Sequence, residues 1–358
     1  MKYALIGCGR IAINHLKAAA ANHLEITALC DVLPEHIDIL LGKQPVPDAD
    51  GISRYTDYRE MIEAHPEIEL CAIATPSGLH AEIALYLIDR GIHVIIEKPI
   101  AMSIADAEEI IRRSEEKGVT VCACHQNRFN FAVQKVRKAL EEGRFGKLSH
   151  GAVTVRWNRS EAYYEQASWR GTWAQDGGCL MNQCIHGIDL LRWMMGGEPE
   201  TVYGVTRKVL HDHLEVEDVG MAVVTFRNGT VATIEGTVNV YPTNLEETLC
   251  LFGEKGTVRI GGKAVNTIDV WQFSDEMPED EALVGWEEKA GNVYGNGHTG
   301  LYADVIDAVR SHRKPYVDAR AGRDALEMVL AIYKSMKTGL PVSLPLKDFS
   351  TEDMKGIF

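Results

Sequence analysis

The chain has 358 residues, 46% hydrophobic and 25% charged, a composition for about two domains with buried cores rather than for a disordered polymer. Its formal net charge of −14 opposes a surface built for nucleic acid or an anionic membrane. No uncharged apolar run nears the roughly 18 residues that a membrane helix needs, and the run at the N-terminus is too short for a secretory signal, so a cytoplasmic location is expected.

In chain order, the first 125 residues alternate short apolar runs with helical periodicity. Strands are expected over 2–7, 25–31, 69–75, 93–97 and 120–125, and helices over 11–22, 58–64, 79–90 and 105–117. Near-continuously apolar strands alternating with helices predict a parallel sheet covered on both faces, a doubly wound Rossmann domain over 1–125. Gly7-Cys8-Gly9-Arg10-Ile11-Ala12 follows the first strand and opens the first helix. Gly7 permits the tight turn, Gly9 lets a pyrophosphate reach the backbone, and Ala12 keeps helix and strand close. Asp31 ends the second strand, where an acid binds an adenosine ribose and repels a 2′-phosphate, so NAD is favoured over NADP.

Thr75-Pro76-Ser77-Gly78-Leu79-His80 leaves another strand and should pass near the cofactor, or serve simply as a turn and helix cap. Glu97-Lys98-Pro99 delivers a lysine to the carboxyl edge of the sheet, where an ammonium can stabilise an alkoxide and a cis Lys-Pro bond could fix its direction, or simply places an exposed lysine before a helix.

From about 126 the pattern changes to a second domain, 126–358, of α+β type with a large open, mostly antiparallel sheet. A helix over 132–142 precedes β-rich runs at 148–158, 202–209, 219–226, 230–237, 248–252 and 257–260. Asn228-Gly229 and Glu254-Lys255-Gly256 mark tight turns between strands. A helix over 178–195 interrupts the strands, helices over 301–311 and 321–337 close the chain, and 274–297 reads as a long loop. On one helix Asn182 and His186 share a face, suited to holding a sugar hydroxyl with imidazole taking its proton; a satisfied core histidine is the plainer alternative. Asp189 either orients that ring or faces water. The segment 156–173 holds three of the six tryptophans and three arginines, a composition for binding a ring and an anion or for an oligomer interface. The eight cysteines include no CxxC pair and read as reduced core thiols, and no structural metal is expected.

Together the Gly-x-Gly-x-x-Ala fingerprint, Thr75-Pro76 with His80, Glu97-Lys98-Pro99 and the helix carrying His186 resemble the glucose–fructose oxidoreductase / inositol dehydrogenase (Gfo/Idh/MocA) family over essentially the whole chain. The resemblance implies NAD-dependent oxidation of a ring hydroxyl, with Lys98 and His186 as the catalytic pair. Asn182 stands where many members have aspartate. It further implies cofactor contacts at Gly7, Gly9, Arg10, Ile11, Asp31, Thr75, Pro76, His80, Glu97, Lys98, Asn127, Trp169 and Arg170. Substrate contacts are implied at Lys98, Arg156, Asn158, Arg159, Asn182, His186 and His298. Asn182-Gln183, Tyr163-Tyr164 with Trp169-Arg170-Gly171-Thr172, Asn244 to Thr248 and Gly295 to Tyr302 are similar to the branch of that family that oxidises C3 of UDP-linked N-acetylamino-sugar uronates on the way to surface polysaccharides. A free cyclitol or hexose as substrate, and a non-catalytic NAD-binding sensor, are the alternatives. A homodimer or homotetramer is expected, with no nucleic-acid or membrane partner.

Overall fold

Buried on both faces, the apolar runs of the N-terminal half form a parallel sheet in the computed structural model, which describes residues 1–46, 49–289 and 295–358. Its strands are β1 (Lys2–Ile6), β2 (Glu25–Cys30), β3 (Ser53–Tyr55), β4 (Leu70–Ile73), β5 (His93–Ile96) and β6 (Val121–Ala123). They lie in the order β3-β2-β1-β4-β5-β6, all parallel. That is the doubly wound Rossmann order, with the strand sequence reversing beside β1 and β4. The helix Pro34–Lys43 and the three-residue β3 were not anticipated. The helix buries only Ile37 and Leu40, too little for a clear apolar stripe, although Pro34 at its first turn is a start signal.

Chain contacts divide the molecule into two units. One is Met1–Ala101, Ala105–His125 and His298–Arg323; the other is Met102–Ile104, Gln126–Gly297 and Asp324–Phe358. The return of His298–Arg323 to the first unit departs from a single boundary after residue 125. Its cause is polar and local: Tyr302 Oη lies 2.8 Å from Tyr3 Oη and 2.7 Å from His15 Nδ1, and Asn22 Nδ2 donates to the Thr299 carbonyl at 3.0 Å.

The second unit is built on an eight-stranded sheet of β7 (Leu148–Arg156), β8 (Pro199–Arg207), β9 (Val219–Phe226), β10 (Val231–Thr237), β11 (Glu246–Gly253), β12 (Gly256–Gly261), β13 (Thr267–Phe273) and β14 (Val342–Ser343). The order is β13-β12-β11-β7-β10-β9-β8-β14, with β7 and β10 parallel and every other pair antiparallel. Both expected turns are hairpins, and Gly229 supplies a φ of +82° in the first. Val153, Val155, Val224, Ile234 and Leu249 cover the inner face, while Tyr203, Val205, Met221, Val223 and Val231 are exposed on the outer one. The loop expected over 274–297 lies partly outside the described residues, at 290–294. All eight cysteines are free thiols, seven of them buried.

The helix expected over 178–195 is instead two, Cys179–Asn182 and Ile185–Met194. The Cys179 carbonyl accepts from both Gln183 N–H and Cys184 N–H at 3.0 Å, so an extra residue is taken into the turn. Leu180 and Cys184 press onto the bare backbone of Gly236 at this point. Entry to the first helix is fixed by Glu217, fully buried, whose Oε1 accepts from Leu180 N–H at 2.9 Å and Tyr333 Oη at 2.8 Å. A Cβ on Gly178 would lie 1.6 Å from Glu217 Oε2. Gly178→Ala is therefore expected to lower stability by about 1–3 kcal/mol, read as a reduced urea midpoint at unchanged slope.

Candidate active site

In the first unit the dinucleotide turn has the shape the fingerprint requires. Gly7 adopts φ +91°, and a Cβ there would sit 2.5 Å from the Ala74 carbonyl carbon and oxygen. A Cβ on Gly9 would meet nothing within 4 Å, which leaves the backbone open to a phosphate. No side chain caps the helix Ala12–Ala21 that follows, and its first turn holds no acid. Asp31 Oδ2 accepts from Cys8 N–H at 2.7 Å, and Oδ1 accepts from Leu33 N–H at 2.9 Å, with His36 Nδ1 at 3.2 Å. The carboxylate thus ends β2 directly beside the glycine turn, where a ribose would be bound. These features fit NAD; Arg10 is exposed and Ile11 half-buried at the same turn.

At the carboxyl end of β5, Glu97 is buried and Lys98 half-buried, and the Lys98–Pro99 bond is cis. Burial alone would raise the Glu97 pKa, but the hydrogen bond from His15 Nε2 at 2.9 Å and the His298 ring at 3.7 Å outweigh it and hold the carboxyl well below its usual range. Glu97 Oε2 accepts the Lys98 N–H at 3.2 Å. His15, Glu97, Cys124 and His298 bring ligand-type atoms within 4.8 Å of one another, a grouping that chain spacing does not announce. His298 was expected among substrate ligands; the structure instead buries it beside Glu97, with its pKa lowered by that burial. His80 is likewise interior: Nδ1 lies 2.8 Å from the Pro99 carbonyl and Nε2 3.0 Å from the Thr75 carbonyl. It braces the loops of β4 and β5, so its contribution to a cofactor site is to place Thr75, Pro76 and Lys98.

In the second unit Asn182 ends one short helix and His186 lies in the first turn of the next, buried to 6% exposure. Asn182 Nδ2 donates to buried Asp176 Oδ1. Asp189 neither faces water nor stands unpaired: Arg128 Nε and Nη2 donate to its two oxygens at 2.8 and 2.6 Å. Asn127 is buried, with Nδ2 3.5 Å from Glu247 Oε1. Glu247 comes within the reach of a Cβ built on Gly187, next to His186, and burial pushes its pKa up to about 8.

The aromatic–arginine segment separates its three arginines. Arg156 was expected to meet substrate, but its side chain lies on the opposite sheet face from Val153 and Val155, against which Gly187 packs. There Glu235 takes it at 2.6 Å and Glu246 at 2.7 Å. Arg159 and Arg170 stack on the same ring, Tyr163, at 5.1 and 4.4 Å, and Arg170 also lies over Trp169 at 4.5 Å. Arg159 Nη1 donates to the Asn158 carbonyl at 2.6 Å and Arg170 Nη1 to Tyr163 Oη at 2.7 Å. Among the described residues no carboxylate pairs with either guanidinium. Asn158 Nδ2 donates to the Val240 carbonyl at 2.6 Å, fixing the strand end.

A Rossmann sheet with an open glycine turn, an acid at the end of β2 and a lysine at its carboxyl edge fits a nicotinamide-dependent oxidoreductase. Residues 1–125 match the oxidoreductase family with NAD-binding Rossmann fold, and residues 133–259 match the GFO/IDH/MocA C-terminal domain. The chain belongs to the Gfo/Idh/MocA family and is an NAD-dependent oxidoreductase of it. It is similar to the WlbA dehydrogenase from Bordetella pertussis, solved with NADH and UDP-GlcNAcA, at 37% identity and TM-score 0.86 over 97% of this chain and 98% of that one. The WlbA dehydrogenase from Chromobacterium violaceum, solved with the same two ligands, is 36% identical at TM-score 0.86 over 97% and 96%. Myo-inositol 2-dehydrogenase of Thermotoga maritima is 24% identical over 96% of this chain and 98% of its own.

Two measurements test these assignments. Gly9→Ala should fold with stability within about 0.5 kcal/mol of wild type, yet weaken NADH binding at least about tenfold in a fluorescence titration, because the methyl occupies the phosphate approach. Glu247 keeps in the fold a proton that the unfolded chain releases above about pH 4.5, so it lowers stability as pH rises from there to about 8. Glu247→Gln should therefore leave the denaturation midpoint unchanged near pH 5 and raise it increasingly towards pH 8, by roughly 1 kcal/mol per pH unit.

Proposed function

We propose that the protein is a UDP-N-acetyl-2-amino-2-deoxyglucuronate dehydrogenase, oxidising the C3 hydroxyl of a UDP-linked N-acetylamino-sugar uronate to a ketone, as a step towards surface polysaccharide. The observation that carries this reading is the pair Arg159 and Arg170, which share the Tyr163 ring and have no carboxylate partner among the described residues of a chain with net charge −14. Unneutralised guanidinium forks suit a diphosphate or a uronate carboxylate. The likeness to two WlbA dehydrogenases solved with UDP-GlcNAcA supports the same substrate class.

NAD, when bound, accepts a hydride from the substrate carbon. In this reading His186 takes the hydroxyl proton on its imidazole, Lys98 donates a hydrogen bond to the oxygen as negative charge develops, and Asn182 positions the same hydroxyl. Gly7, Gly9, Asp31, Thr75 and Pro76 hold the cofactor, with Asn127, Trp169 and Arg170 as further contacts. The exposed apolar outer face of β8, β9 and β10 supports self-association as a homodimer or homotetramer.

The test is NADH formation with UDP-N-acetylglucosaminuronate, UDP-N-acetylglucosamine, myo-inositol and glucose, each with and without 2-oxoglutarate. Turnover of the nucleotide-linked uronate alone is expected; turnover of the neutral polyols instead would place the chain with the inositol dehydrogenases. Lys98→Met and His186→Ala should each lose about 10²–10⁴-fold in kcat while NADH binding persists. Arg159→Gln should raise KM for the anionic sugar and leave neutral sugars unaffected. Retained turnover in the lysine or histidine variant would refute the catalytic pair.

A further inference from the structure

Asp176 lies in no motif that the sequence offers, yet it is 1% exposed and joins the arginine-bearing loop to the residue before the helix break. Its Oδ2 accepts the Gly171 N–H at 2.8 Å, one residue after Arg170, and its Oδ1 accepts from Asn182 Nδ2. The Asp176 and Gly177 N–H groups return to the Thr172 carbonyl at 3.1 and 2.9 Å, so the carboxylate is held from both sides of the turn. Both Asp176 oxygens accept hydrogen bonds here, whereas an amide has a donating and an accepting end. Asn182 must therefore turn its nitrogen to Asp176, and a flipped amide would set oxygen against oxygen in a buried place.

We propose that Asp176 is a positioning residue: it locks the Asn182 amide so that Oδ1 is the end offered to substrate, and so selects a substrate with a hydrogen-bond donor beside the carbon being oxidised. The inference rests on the reading of Asn182 as a substrate ligand. Because His186 takes the proton of the reacting hydroxyl, Oδ1 meets a neighbouring donor, a ring hydroxyl or an acetamido N–H. The same carboxylate holds Gly171, so the amide orientation and the placing of Arg170 are one arrangement.

The experiment compares Asp176→Asn, Asn182→Asp and the double exchange. Asp176→Asn frees the amide to turn, and kcat/KM should fall about 10-fold to 100-fold. Asn182→Asp sets two carboxylates together and should lower both the thermal midpoint and kcat/KM. In the double exchange the new amide at 176 donates to the new carboxylate at 182, which still presents an acceptor; the midpoint should return to near wild type and kcat/KM should exceed that of either single variant. An exchange no more stable than Asn182→Asp would overturn the hydrogen-bond coupling, and this arm needs no substrate. Wild-type kcat/KM in Asp176→Asn, with His186→Ala inactive, would overturn the positioning role alone. Activity in His186→Ala would instead refute the catalytic reading while the stability cycle still decides the lock.

Discussion

The ionised Glu97 carboxylate, fully enclosed at the end of β5, is the constraint around which the first unit is arranged. A buried charge is tolerated only when donors surround it, and stripping one partner away costs about 3–5 kcal/mol. His15 comes from the helix after the glycine turn, His298 from the segment that rejoins this unit late in the chain, and the Lys98 N–H from the adjacent residue. Satisfying one carboxylate therefore fixes the first helix, the lysine and the late helix together. Tyr302 and Tyr3 extend the same chain of hydrogen bonds to β1.

The second unit uses carboxyl groups differently. Glu217 sits with a backbone N–H and a tyrosine hydroxyl and, among the described residues, no cation, and burial pushes its pKa up to about 8. It works as a neutral wedge that starts the short helix Cys179–Asn182 and demands glycine at 178. Asp189 is matched instead by the Arg128 fork, which pins the following helix to the turn at Gln126–Phe129. Two short helices end up separately anchored, and the irregular turn at Gln183 and Cys184 between them gives Asn182 and His186 independent supports.

Much of this was legible in the sequence because local rules decide it. Buried parallel strands read as unbroken apolar runs, Asn228-Gly229 forces a hairpin, and Gly7 and Gly9 do what their missing Cβ atoms allow. What stayed hidden depends on partners distant in sequence. Nothing near Arg156 reveals that Glu235 and Glu246 will neutralise it, since that follows from β10 and β11 flanking β7. The break after Asn182 arises from packing on Gly236, and helical periodicity runs through it unchanged. His80 and His298 carry the residue type expected of ligands, but the His80 ring atoms are used by backbone carbonyls and His298 is buried 3.7 Å from Glu97 in the interior.

Charge placement has the largest consequence for function. Two arginines without a carboxylate partner among the described residues stack on one tyrosine. Stacking on an aromatic face stiffens the guanidinium without neutralising its charge. Against a net charge of −14 such a pair raises the local potential. Arg156, the third arginine of the same segment, shows the other outcome: placed one strand face away, it is consumed by the sheet. The fate of Arg156 is thus set by β-strand alternation, whereas Arg159 and Arg170 lie beyond the end of β7.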